Sequence, residues 1–246
     1  MIVSFGAVVL HTETICEIED VPPLVLLLGF VLDVPRLETS TFEERQLLNS
    51  SSNIKFINIG NNLSLDAKLK NINFKREDAE NLDSDNDAFN LATCALGLMY
   101  FPEPDNALLE MHRVLKPGGR AVVAVWGSRK NCGWAEIFPI VDKRVNTDVC
   151  PMFFNLGESE VLKYPFENAG FKDIKIQKIK TKLLYSSSKE ACDASFLGGP
   201  VAMAYSRFDE ETKKSARKEY IKSIEKFKTT DGYEIPGEFV ICSGIK

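Results

Sequence analysis

Apolar residues along this chain gather into short runs separated by polar, Gly- or Pro-containing breaks, and the spacing inside each run predicts an element. Val25–Val34 is almost continuously apolar, β-branched at its end and bounded by Pro22-Pro23 and Pro35, which predicts a buried strand, with a buried helix as the alternative that Leu24–Leu28 also suits. Thr41–Leu48 predicts a short helix capped by Thr41, with Glu44 three residues on as its capping-box partner. Ile54–Ile59 (IKFINI) predicts a second strand, broken by Gly60-Asn61-Asn62 and followed by helix over Leu63–Lys70. Ile72–Lys75 is a short extended piece. Ala88–Leu98 (AFNLATCALGL) has the unbroken apolar character of a strand covered on both faces. Asp105 is placed to cap the next helix, whose apolar face is Leu108, Met111, His112 and Leu115; Pro117-Gly118-Gly119 ends it. Arg120–Trp126 is a further apolar strand. Strands alternating with helices between residues 54 and 126 predict an α/β parallel sheet with right-handed crossovers.

Beyond residue 127 the pattern changes. Gly157–Ala169 predicts a helix closed by Gly170. Asp173–Leu184 alternates Ile and Lys as a half-exposed strand does, with a break of phase near Gln177-Lys178. Its lysines read as a solvated face. Helices follow over Ser188–Phe196 and Asp209–Phe227, and Glu238–Ser243 closes the chain as a strand.

Composition narrows the function classes. The 246 residues are 44% hydrophobic and 26% charged, which suits one domain or a domain with an elaboration. A net charge of −5 lacks the basic face that nucleic acid requires. The apolar run Leu24–Leu32 is too short for a membrane span, which needs about 20 residues. No basic stretch precedes it as in a secretory signal, so the expectation is a soluble, cytoplasmic protein. The cysteines are scattered without a Cys-x-x-Cys pair, and His11 and His112 are the only histidines. That pattern predicts buried free thiols and no metal site.

One stretch carries more. Asp78-Ala79-Glu80-Asn81-Leu82, Phe89, Met99-Tyr100-Phe101 and Arg113-Val114-Leu115-Lys116-Pro117-Gly118-Gly119 occur in this order within residues 76–128. So arranged, they resemble the class I S-adenosylmethionine-dependent methyltransferases, above all the methyltransferase type 11 branch that holds the ubiquinone and menaquinone enzymes. Asn168-Ala169-Gly170-Phe171 resembles the entry to that branch's sixth strand, and the ending DGYEIPGEFVICSGIK its seventh. The resemblance covers about residues 54–246. It implies a single domain with a Rossmann-like sheet, mostly parallel with an antiparallel last strand. It further implies a divergent N-terminal part over 1–53, a cofactor-binding core over 54–128 and a helical insertion over 185–235.

The same resemblance implies a site outside the carboxyl ends of the strands, with S-adenosylmethionine as cofactor. Asp78 falls where a carboxylate bonds the adenine amino group, and Ala79 N–H where a ring nitrogen is met. The other reading of Asp78 is a plain turn cap. Asn58 falls where an acidic residue ends the second strand and holds the ribose, and Asp33 where one ends the first. The turn after Asp33, Pro35–Ser40, contains no glycine, against the family's pattern. Two readings of this stay open: a diverged N-terminal part, or a join foreign to the family. Gly97 and Met99 fall where cofactor or acceptor is touched, and Cys94 and Leu96 in the core. Trp126, Gly127 and Ser128 border the acceptor pocket, and His112 reads as a packed or surface residue. No catalytic residue is assigned, because alignment of acceptor, methyl carbon and sulfur carries much of such a reaction.

The function expected is methyl transfer to a small-molecule acceptor. Phe196, Met203, Tyr205 and Phe208 of the insertion either cover the site or form the insertion's own core. The alternative is a catalytically impaired, methyltransferase-like binding or regulatory protein. A nicotinamide-dependent dehydrogenase is disfavoured, since no G-x-G-x-x-G follows Val34.

Overall fold

A computed structural model describes residues 24–29, 46–50, 58, 61–62, 65–66, 68, 72–75, 77–145, 152–198 and 200–246. Its strands are β1 (Leu24–Gly29), β2 (Gln46–Ser50), β3 (Ile72–Lys75), β4 (Phe89–Ala95), β5 (Leu115–Trp126), β6 (Lys172–Tyr185), β7 (Lys228–Thr229) and β8 (Gly232–Ile245). They form a sheet in the order β3-β2-β1-β4-β5-β8-β6, with β7 paired to β8. The pairs from β3 through to β5 are parallel. β8 opposes β5: Gly118 N–H bonds the carbonyl of Lys246 near one end, and Gly127 N–H that of Glu238 near the other. The α/β sheet, mostly parallel with an antiparallel last strand, is therefore the fold.

Among the described residues the helices are α1 (Pro104–Val114), α2 (Ile137–Asp142), α3 (Lys163–Asn168), α4 (Ser188–Leu197), α5 (Ala202–Ser206) and α6 (Glu210–Ile224). α1 starts with Glu103 as N-cap and Pro104 at its first position, so Asp105 lies inside the first turn rather than capping it. There Asp105 still suits the helix dipole. Ala107, Leu108, Met111 and Val114 form the buried face of α1. α4 and α6 carry true side-chain caps, Ser187 accepting from Glu190 N–H and Asp209 from Thr212 N–H.

Several boundaries depart from the sequence pattern. Of the predicted strand Val25–Val34, Val25–Gly29 lie in β1 and 30–34 lie outside the described residues; Gln46–Leu48 belong to β2 rather than to a helix. Of the predicted second strand Ile54–Ile59 only Asn58 is among the described residues, and it has helical backbone, as do Asn61, Asn62, Leu65 and Asp66. Pro117-Gly118-Gly119 does not end α1, which stops at Val114. It is a bulge within β5, where Leu115–Arg120 spans only Phe89–Leu91 of β4. Gly118 takes φ +78° there, and a Cβ on Gly119 would lie 2.8 Å from the Lys116 carbonyl. The predicted helix over Gly157–Ala169 shortens to α3 behind a 3₁₀ turn at Asn155–Gly157. β6 breaks its alternation between Ile176 and Ile179, where the sequence placed the break.

The described residues fall into two units. One takes those up to Val125 with Leu156–Gln177 and Val240–Lys246. Its core is β4, α1 and the inner part of β5, with Cys94, Leu98, Leu108, Met111, Val123 and Val125 fully buried. The other takes those from Trp126 to Asn155 and Lys178–Phe239. Here Phe196 stacks 4.6 Å from Tyr205 and 5.6 Å from Tyr220, whose hydroxyl accepts from Ser195. Phe196 and Tyr205 are thus buried against each other within this unit, while Met203 is exposed.

Candidate cofactor site

Parallel pairing levels the strand ends. Gly29 pairs with Ala95, Leu28 with both Ser50 and Cys94, and Ser50 with Lys75. The segments leaving β1, β2, β3 and β4 therefore start from one edge of the sheet. The order reverses between β1 and β4, the switch point at which open α/β sheets bind ligands.

Beyond β3 the chain turns at once. Asp78 Oδ1 accepts from Glu80 N–H at 3.0 Å, and the Asp78 carbonyl from Asn81 N–H at 3.1 Å. Asp78 is exposed and Ala79 half-buried. Its side chain does cap a turn, but with one oxygen. The other oxygen and the Ala79 N–H take no hydrogen bond among the described residues. An acceptor and a donor thus stand side by side on the edge. Glu77 differs: its side chain is wholly buried, with Oε1 2.6 Å from the ammonium of Lys75. Beyond this ion pair, Oε2 has no partner among the described residues. The sequence singled out Asp78 and passed over Glu77. A charged run such as Arg76-Glu77-Asp78-Ala79-Glu80 gives no sign of which acid is buried.

Two carboxylates moor this turn to α1. Glu80 Oε1 accepts from Glu103 N–H at 3.1 Å, and Glu110 Oε2 from Leu82 N–H at 2.7 Å. Arg113 grips Glu110 through Nε and Nη2, each at 2.7 Å. It also reaches the carbonyls of Ser84 and Leu82 and the Asn86 side chain at 2.8–2.9 Å. Lysine cannot reproduce that fork. Arg113→Lys is expected to cost about 2 kcal/mol in urea unfolding; a change within about 0.5 kcal/mol would refute the anchoring role. The Arg113 guanidinium holds the Glu110 carboxyl below its ordinary value. This contribution is complete at neutral pH and is lost as pH falls through the lowered value.

Beyond β4, Leu96 N–H still bonds the Ala124 carbonyl at 2.8 Å. Leu96 then takes φ +57°, a left-handed conformation that a leucine adopts only when its surroundings impose it. The chain so turned enters the short 3₁₀ helix Leu98–Tyr100, with Gly97 as its N-cap and Met99 buried. Cys94 is fully buried, and burial pushes its thiol up to about 12, which fits core packing. Cys132, Cys192 and Cys242 are buried free thiols as well.

Of the residues the sequence proposed, Asp78, Ala79, Gly97 and Met99 lie on segments leaving this edge. Asn58 does not end β2; it stands eight residues past Ser50, exposed. Asp33 lies outside the described residues. His112 packs edge-on against Phe171 at 5.0 Å, and burial lowers its pKa. In the other unit Trp126 stacks on Trp134 and Phe239 at 4.8 and 4.4 Å. There Gly127 N–H bonds the Glu238 carbonyl at 2.6 Å, and Ser128 N–H its carboxylate at 3.2 Å.

This strand order is that of the class I methyltransferases. Residues 47–123 match the family described as methyltransferase domain. The demethylmenaquinone methyltransferase of Staphylococcus epidermidis is 34% identical over 122 residues, 44% of this chain and 51% of that relative. The chain thus spans about half the length of this curated relative. A methyltransferase structure from Bacillus halodurans, itself of unestablished activity, superposes with a TM-score of 0.59 at 15% identity, covering 96% of this chain and 98% of the other. Phosphoethanolamine N-methyltransferase 2 of Haemonchus contortus, solved with S-adenosylhomocysteine, gives 0.58 at 11% identity, covering 96% of this chain and 52% of the other.

Proposed function

We propose that the chain is an S-adenosylmethionine-dependent methyltransferase acting on a small-molecule acceptor. The observation that carries this reading is the acceptor–donor pair of Asp78 and Ala79, placed beyond β3 on the level edge. Adenine offers the complement: its amino group donates and the neighbouring ring nitrogen accepts. The residues present therefore fit the cofactor. Asp78 and Ala79 hold the adenine, and Gly97 and Met99 form the wall beyond β4. When bound, the cofactor supplies a methyl group on a sulfonium, ready for displacement. The protein's task is to fix the adenine end, so that acceptor and methyl meet in line.

The small-molecule acceptor is supported by the relatives, whose names make them methyltransferases of demethylmenaquinone. Among the described residues no helix is long and apolar enough to cross a membrane. Calorimetric titration with S-adenosylmethionine and S-adenosylhomocysteine tests the reading, with micromolar binding of both expected. A folded protein that binds neither would overturn it, and would favour the non-catalytic alternative.

A further inference from the structure

We infer that Cys94 is a positioning residue: its sulfur holds the turn that presents Gly97 and Met99 beyond β4. The role rests on the cofactor reading above. Cys94 lies in the middle of the parallel sheet, paired with Leu28 of β1 and Val123 of β5, and is fully buried. β4 ends one residue later, at Ala95, and the N–H groups that follow need new acceptors. Leu96 N–H keeps one in the Ala124 carbonyl at 2.8 Å. Gly97 and Leu98 are buried, and neither N–H takes a backbone carbonyl among the described residues. Both bond the Cys94 sulfur instead.

These two donors open the 3₁₀ helix Leu98–Tyr100, and the first N–H groups of any helix lack a partner inside it. A side-chain acceptor at the N-cap usually serves them, but the N-cap here is Gly97, which has none. The sulfur of Cys94 does that work from the end of the strand. Between the sulfur and its donors stands Leu96 at φ +57°, a conformation that is unfavourable for leucine. The two bonds offset that cost. Without them, buried N–H groups lose their only side-chain acceptor here and Leu96 gains by relaxing out of the left-handed region. Gly97 and Met99, which follow directly, would then leave the place in which the cofactor meets them.

Two substitutions separate positioning from packing. Cys94→Val fills the site with apolar volume and removes the acceptor. Cys94→Ser keeps an acceptor and puts a hydroxyl in the core. Calorimetry with S-adenosylhomocysteine should give about tenfold weaker binding to Cys94→Val, with Cys94→Ser within about threefold of the wild type. Amide exchange read by NMR on the ligand-free proteins should show Gly97 and Leu98 protected in the wild type and in Cys94→Ser. In Cys94→Val the same two amides should exchange about tenfold faster relative to the rest of β4. Packing alone predicts the reverse order, with Val the better replacement in affinity as well as in melting temperature, and that order overturns the proposal. So do wild-type Gly97 and Leu98 amides that exchange as fast as exposed chain, a result that requires no variant to fold. A wild type that binds no S-adenosylhomocysteine removes the cofactor reading, and the role of Cys94 falls with it. Binding that is present in the wild type and unchanged in Cys94→Val removes the role of Cys94 alone.

Discussion

Asp78→Ala is expected to lower affinity for S-adenosylhomocysteine about a hundredfold while the protein stays folded. A hydrogen bond to a charged group contributes about 1.5–3 kcal/mol, and each 1.4 kcal/mol is about a factor of ten. The substitution also removes the acceptor that holds Glu80 N–H at 3.0 Å, so the Ala79 N–H loses its fixed direction. Asp78→Asn separates these effects. It keeps an oxygen for the turn and gives up the charge, and a loss of about tenfold is expected. Asp78 is exposed, so unfolding of the ligand-free protein should change by less than about 1 kcal/mol. Calorimetry on the folded variants decides the matter. Unchanged affinity in Asp78→Ala would leave the residue as a turn cap only.

Glu238→Ala should be the most damaging single change to stability discussed here, at about 3 kcal/mol. Glu238 is 3% exposed. Its Oε1 accepts from Ser128 N–H at 3.2 Å, and both carboxylate oxygens lie 2.9 Å from Asn131 Nδ2. Truncation strands those donors and opens a void beside Gly127, where a Cβ would lie 2.5 Å from Oε1. In a chain of this length about 3 kcal/mol corresponds to a fall of about 10 °C in Tm. Glu238→Gln keeps one acceptor but presents an amide to the Asn131 amide, so about half the loss is expected. Scanning calorimetry of the two variants reads this directly. A Glu238→Ala protein melting within about 1 °C of the wild type would show that the buried carboxylate does not hold the Gly127–Asn131 segment.

The identity of Asp78 and the setting of Glu77 mark two kinds of legibility. Asp78 lies in a stretch whose residue order alone aligned it with the adenine position, and the structure sets it on the expected edge. Glu77 and Glu238 carry no comparable sign. Each is one acid among ordinary neighbours, in Arg76-Glu77-Asp78 and in Gly237-Glu238-Phe239, and Glu238 is held by Gly127–Asn131, over a hundred residues away. Asn58 shows the converse error. Ile54–Ile59 alternates as a strand should, yet Asn58 has helical backbone, and β2 is Gln46–Ser50.

What the sequence determined by itself is the set of elements whose signal is local. Phe89–Ala95 is apolar enough to be a strand buried on both faces, and α1 shows its buried stripe in Leu108, Met111 and Val114. β6 shows both its alternation and its slip of phase, and Asp209 announces the start of α6. These follow from period, cap and apolar content, which any stretch of chain carries with it. Only the tertiary structure decided the rest. Glu43-Glu44-Arg45-Gln46-Leu47-Leu48 favours a helix, yet Gln46–Ser50 is extended because β1 and β3 flank it and satisfy its backbone on both sides. Leu115–Gly119 has the residues of a helix stop, yet it becomes a bulge in β5 because Lys246, over a hundred residues away, exchanges hydrogen bonds with Gly118 and Gly119. Strand pairing and burial depend on partners distant in sequence, and their free energy exceeds the fractions of a kcal/mol by which local propensity distinguishes one conformation from another.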